Sequence, residues 1–292
     1  MSYTIFTDTS ANLPTPLTEK LGLRVLPFKF YLNGEEQDCL DTEAFDGAAF
    51  YDAIRNGAEV TTSQINVGTF VDSFESVLRE GQDVIFVGMS SGISGSFNSA
   101  EVAAAQLREK YPERTIRTID TLGASLGEGL IAVRGAELRD QGLTVDEAAD
   151  RLLEMRESMY QVFTVDNLMH LRKTGRLSNA SAVVGTVLNI KPLLKGNENG
   201  QIVSFMKLRG RKKALNAMGD KYDELVRNAA DQVIGIAHAD CQEDADYLIS
   251  LLKKNNPPKD ILTVCYEPVT GSHVGPGTLA LFFLSDPGCR FK

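Results

Sequence analysis

DVIFVGMSSGISGSFNSA, residues 83–100, passes from a branched apolar run (Val84–Val87) through a loop of serines and glycines into an alanine-rich helical pattern over Glu101–Lys110. Strand, small-residue loop and helix form a corner where backbone N–H groups and the positive end of a helix dipole converge. Ser90, Ser91, Ser94 and Ser96 add hydroxyls to it. Such a corner favours an anion. Three readings fit it. Gly88–Gly92 (GMSSG) matches the G-x-S-x-G nucleophile elbow, with Ser90 as nucleophile. Ser94 and Gly95 suit a passive oxyanion or carboxylate cradle. Serine is also a preferred helix cap, with no further role. A pattern with so few fixed positions does not separate these alone.

Outward from this corner, strand and helix signals alternate. Tyr3–Thr7, Arg24–Leu32 (interrupted at Pro27), Asp83–Val87 and Thr115–Ile119 read as strands. Pro14–Leu21, Thr42–Asn56, Val67–Arg79, Gly123–Gln141 and Val145–Met159 read as helices, and Asn33–Gly34 as a hairpin turn. Val60–Gln64 reads as a loop. This alternation predicts an α/β fold with a mostly parallel N-terminal sheet and helices on both faces. A second unit begins near Tyr160. There Gln161–Val165, Val233–His238, Ile261–Tyr266 and Thr278–Leu284 read as strands, and Leu188–Lys195 with Gln201–Leu208 as an antiparallel pair. Helices are expected over Asn167–Lys173, Ser181–Leu188, Arg211–Asn228 and Glu243–Asn255. The expectation is two packed α/β domains, 1–159 and 160–292, the second with a mixed sheet. A chain of 292 residues is long for one core.

Composition narrows the function. Hydrophobic content of 43% and charged content of 24% are those of an ordinary globular protein. A net charge of −9 disfavours nucleic acid and anionic membranes as partners. The basic run Lys207–Lys213 (KLRGRKK) suits a solvated face. Cys39, Cys241, Cys265 and Cys289 are scattered and form no metal-ligand spacing, so neither metal nor cofactor is expected and a reduced, cytoplasmic setting is the simplest reading. MSYTIFTDTS lacks the form of a signal peptide, and no apolar run reaches the ~18 residues of a membrane span.

Further segments combine small and polar residues beside apolar runs: TDTSANL at Thr7–Leu13, TTSQ at Thr61–Gln64, NLMHLRKTGRL at Asn167–Leu177, NIKPLL at Asn189–Leu194 and GSHVGPG at Gly271–Gly277. Taken in order with SSGISGSFNSA, they make the chain resemble the DegV family of bacterial fatty-acid-binding proteins, from Thr7 to Phe283. The resemblance implies one long-chain fatty acid between the domains, presented to a separate ATP-dependent fatty acid kinase that makes an acyl phosphate. It implies that Thr62 and Ser94 hold the carboxylate, with His273 near the same head group. The chain departs from the family by Ile65–Asn66 after TSQ and by Thr174–Gly175 before Arg176.

Residue chemistry is compatible with that picture. Thr62 Oγ, Ser94 Oγ and the Gly95 N–H are donors that a desolvated carboxylate requires. Buried methylenes contribute ~0.8 kcal/mol each, so a tail of about fourteen gives roughly 11 kcal/mol. Each head-group hydrogen bond nets only ~1 kcal/mol. The head contacts orient and the tail binds. His273, read here as a loop residue between glycines, donates a hydrogen bond or supplies positive charge when protonated. Arg172 and Arg176, four apart, share a face if one helix runs through both, although Gly175 weakens the last turn; they suit a docking patch for the kinase, a contact near the pocket mouth, or a solvated pair. Lys191 reads as structural. Asp8 and Ser10 follow the first strand but suit a simple turn. Phe28, Phe30, Phe70, Phe74, Phe97, Phe163, Phe205, Phe282 and Phe283 suit either a lipid tunnel or core filling. The competing reading is a serine hydrolase using Ser90, Asp260 and His273 in α/β-hydrolase order.

Overall fold

The computed structural model describes residues 3–178 and 189–291. The N-terminal half runs β1 (Tyr3–Asp8), α1 (Thr15–Lys20), β2 (Arg24–Leu26), β3 (Lys29–Leu32), β4 (Glu35–Gln37), α2 (Gly47–Arg55), β5 (Val60–Ser63), α3 (Val67–Leu78), β6 (Asp83–Gly88), α4 (Ser96–Lys110), β7 (Ile116–Asp120), α5 (Leu126–Asp140) and α6 (Val145–Ser158). There follow β8 (Met159–Thr164), α7 (Leu168–Lys173), β9 (Ile190–Gly196), β10 (Ile202–Arg209), α8 (Arg211–Leu225), β11 (Val233–His238), α9 (Gln242–Asn255), β12 (Asp260–Cys265), α10 (Pro268–Val274) and β13 (Leu279–Leu284). The helix expected over Ser181–Leu188 lies outside the described residues.

The first sheet is parallel throughout, in the order β2-β1-β6-β7. The second is mixed, in the order β10-β9-β8-β13-β11-β12, with β11 and β12 parallel and the other pairs antiparallel. A small antiparallel sheet, β4-β3-β5, completes the N-terminal half. This is the two-domain α/β architecture that strand–helix alternation predicts.

Local differences have local causes. Pro27 lacks an N–H and ends β2, so Arg24–Leu32 divides between two sheets rather than forming one irregular strand. Val60–Ser63, expected as a loop, is a β-branched strand pairing Thr62 with Phe30. The helix expected from Thr42 starts at Gly47, because Asp46 caps it by accepting from Ala49 N at 3.0 Å. Thr42 instead exchanges backbone and hydroxyl bonds with Thr15 at 2.8 and 2.9 Å. The helix expected from Gly123 starts at Leu126, since Leu122 and Ser125 take φ of 52° and 53°, outside the helical region.

Two cores flank the second sheet. Successive strand residues point to opposite faces. Tyr160, Val162, Leu279, Leu281 and Phe283 therefore pack under α8 and α9, whereas Phe163, Val165, Ala280 and Phe282 join the core of the N-terminal half. Phe70, Phe74 and Phe86 fill that core as an aromatic cluster, Phe70 and Phe86 having centroids 5.0 Å apart. Helix α5 is buried on most of its surface because it lies between the sheets, against β1 and β6 on one side and β8, β11 and β13 on the other. The halves are also stitched by Tyr51 Oη to Tyr266 O and Asn12 Nδ2 to Cys265 O, each 2.9 Å.

Asp8, Glu128 and Glu267 are buried at this junction, and none forms a salt bridge among the described residues. Ser10 Oγ lies 2.5 Å from Asp8 Oδ1 and 2.8 Å from Glu128 Oε2. One hydroxyl has one proton, so the second contact requires a carboxylic acid proton. Burial raises the pKa of both acids, Asp8 to about 6 and Glu128 well above its ordinary value. Burial likewise raises Glu267 to about 7, with the Asp8 charge adding to the shift. A carboxyl with a raised folded-state pKa stabilises fully below its unfolded pKa, and that stability is lost as pH rises through the folded value. Glu267→Gln should therefore gain on the wild type as pH climbs from 5 to 8, by up to about 3 kcal/mol. Denaturant titrations across that range check it; a flat difference would mean that Glu267 ionises at an ordinary pH.

Candidate functional site

A cavity of about 310 Å³ lies between the inner face of the second sheet and the N-terminal half, within the usual range of roughly 300–1,000 Å³ for small-molecule sites. Phe28, Met89, Phe163, Ala280 and Phe282 give it apolar walls. Of the phenylalanines considered, Phe28, Phe163 and Phe282 line it, whereas Phe70, Phe74 and Phe283 fill cores.

Thr62, Ser94, Gly95 and His273 all line this cavity. Four elements bring them together. Strand β5 carries Thr62, the loop after β6 carries Ser94, Gly95 caps α4 and α10 carries His273. His273 is thus a helical residue, not a loop residue. Glu267 caps α10 by accepting from Val269 N and Thr270 N at 2.6 and 2.5 Å, and Pro268 occupies the first turn. Glu-Pro ahead of Gly271 was the readable signal.

Hydrogen-bond accounting assigns the protons. His273 Nε2 lies 2.9 Å from Thr62 Oγ1, and His273 Nδ1 is buried without a partner among the described residues. Burial, then Arg176 and His170, lower the His273 pKa to about 4, so the ring is neutral at pH 7 and the positive-charge role falls away. A buried orphan acceptor is tolerated better than a buried orphan N–H. The proton therefore belongs on Nε2, donated to Thr62, which leaves the Thr62 hydroxyl proton free for a ligand. Ser94 Oγ accepts from Ser96 N at 3.3 Å, which leaves its proton free as well. Gly95, at the cap position of α4, has no side chain to accept, so first-turn N–H groups beyond Ser96 add to the donor set. The result suits a carboxylate held by neutral donors and a helix amino end.

Gln64 completes this cluster, and sequence reasoning gave it no role. A Cβ on residue 95 would collide with the Gln64 side-chain oxygen, so only glycine lets that amide lie over the start of α4. Its place in TTSQ was the only signal. Arg172 and Arg176 separate: α7 ends at Lys173, as expected, and Gly175 turns the chain at φ 76°, so no one helix carries both. Arg172 is exposed on α7, whereas Arg176 lines the cavity and donates to Thr174 O at 2.5 Å. Lys191 donates to Asp166 O at 2.9 Å.

The hydrolase constellation does not assemble. Ser90 is fully buried; its Oγ donates to Gly200 O at 2.8 Å and accepts from Gly92 N at 3.1 Å. The ring nitrogen His273 needs for a triad is engaged by Thr62, and Asp260 is exposed at the start of β12, bonded to Ile261 N. Among the described residues no group of acidic, histidine or cysteine side chains is arranged to hold a metal ion, and no helix is long and apolar enough to cross a membrane.

The fold is that of a two-domain α/β protein with an apolar cavity between its halves. The family model described as "Uncharacterised protein, DegV family" matches residues 2–286, and the chain belongs to the DegV family. A DegV domain-containing protein of Clostridium perfringens is 38% identical over 285 residues, covering 97% of this chain and 98% of that one. A DegV family protein from Thermus thermophilus, whose structure concerns fatty-acid binding, superposes with a TM-score of 0.88 at 29% identity, covering 98% of this chain and 100% of that one. DegV of Bacillus subtilis, described as a fatty acid binding protein, gives 0.83 at 29% identity with the same coverage.

Proposed function

We propose that this protein holds one long-chain fatty acid between its N-terminal domain (1–159) and its C-terminal domain (160–292), and presents the carboxylate to a separate ATP-dependent kinase in the cytoplasm. The observation that carries the reading is the apolar cavity meeting two free hydroxyl protons and the amino end of α4. Fatty-acid binding by the related proteins supports it. The tail supplies most of the affinity, at ~0.8 kcal/mol per buried methylene. Thr62, Ser94 and the Gly95 amide hold the carboxylate, and His273 orients Thr62. Neutral donors leave that carboxylate nucleophilic, which a tight ion pair would not. In the transfer, a carboxylate oxygen bonds to the γ-phosphorus of ATP as the bond to the ADP oxygen breaks. The chain has no P-loop motif to cradle ATP itself. Arg172, exposed beside the site, is our choice for a kinase contact, with Arg176 at the cavity wall.

Denaturing the purified protein and analysing the extract by mass spectrometry should release about one fatty acid per chain. An empty extract together with no uptake of added palmitic or oleic acid would refute the reading.

A further inference from the structure

The cavity holds more polarity than a carboxylate and an alkyl tail can use. Gln161 lines it, on the β8 face that otherwise presents Met159, Phe163 and Val165 to the core. The residue is 9% exposed. Its side chain occupies a niche that glycines leave open. A Cβ on Gly123 would fall 2.6 Å from Nε2, and one on Gly127 2.6 Å from Oε1. Among the described residues the amide bonds inside that niche only at long range: Nε2 donates to Leu122 O and Oε1 accepts from Ala124 N, each at 3.4 Å. Leu122 O already accepts from Arg290 Nη1 at 2.7 Å. A primary amide has two donors and two lone pairs, so half of its capacity has no assigned partner. The wall nearby is also polar. Ser125, next to Ala124, lines the cavity and donates to Asn12 Oδ1 at 3.2 Å, and Thr270, one turn before His273, lines it as well.

A plain alkyl chain covers such groups without bonding them, and each under-bonded buried group then weighs against binding. An oxygen substituent on the chain removes that cost. We propose that the cavity is built for an acyl chain carrying an oxygen function along its length, a hydroxy or oxo fatty acid, and that Gln161 is the residue that reads it. A chain hydroxyl donates to Oε1 and accepts from Nε2; an oxo group accepts from Nε2. The proposal rests on the fatty-acid reading above and names the ligand class more closely.

The test compares stearic acid with hydroxystearic acids substituted at successive positions, by direct titration of delipidated full-length protein. At least one positional isomer should bind tenfold or more tighter than stearic acid. Gln161→Leu and Gln161→Met should abolish that preference, bringing the ratio of isomer to stearic acid affinity down to about one. Stearic acid matching or exceeding every isomer on the wild type overturns the proposal, whether or not the variants fold. So does an equal loss for all ligands in the variants, which marks Gln161 as a structural bridge to the Leu122–Ala124 loop. If no acid binds, stearic acid included, the fatty-acid reading fails and takes this one with it.

Discussion

Ala280→Phe should leave a folded protein that no longer carries a fatty acid. Ala280 lies on β13, on the face that turns to the cavity, and is buried. A ring there takes the place of about four methylenes of the tail, at ~0.8 kcal/mol each about 3 kcal/mol, or roughly 200-fold in affinity. Overpacking a filled core costs about 1–3 kcal/mol, but a ring entering a cavity avoids most of that. The melting temperature should therefore hold or rise while titrated affinity collapses and the extract comes out empty. Unchanged affinity would show that the tail does not run past β13. A parallel loss of stability and affinity would show that Ala280 packs against protein rather than ligand.

Thr62→Ala and Ser94→Ala should do the opposite, sparing affinity and impairing transfer. Each substitution removes a donor worth ~1 kcal/mol, about fivefold in the dissociation constant. Under the proposed function, acyl-phosphate formation with the proposed kinase should fall on the order of 100-fold, because a misplaced nucleophile of even about 1 Å costs that much. Paired measurements of fatty-acid affinity and kinase-coupled rate check the split. Equal loss of both, or of neither, would end the division between an orienting head site and a binding tail. In Thr62→Ala, His273 Nε2 also loses the hydroxyl it meets at 2.9 Å. That variant should be the more severe of the two.

Local sequence carried much of this site. The serines and glycines after β6 announced a donor-rich corner because strand, loop and helix signals are short-range, and Ser94 and Gly95 sit within them. Ordered motifs marked Thr62 and His273 although some 210 residues separate them. What the motifs did not carry was conformation. Thr62 belongs to a strand because Phe30 pairs with it, and His273 to a helix because Glu267 caps it. Gly175 was a legible stop between Arg172 and Arg176, but only packing placed Arg176 at the cavity wall and left Arg172 exposed. Gln161 had no local signal at all, since its niche is made by glycines from another segment of the chain.

Strand–helix alternation, the apolar periodicities and the small-residue loops settled the α/β class, the course of most strands, and the residue types able to meet a carboxylate. Those properties depend on neighbours one to four positions away. Which phenylalanines face the cavity and which fill cores, which partners the Thr62 and Ser94 hydroxyls meet, and why Ser90 is closed to chemistry were decided only by packing. Each depends on segments from both halves meeting around α5. Periodicity shows that a face is buried but is silent about what buries it.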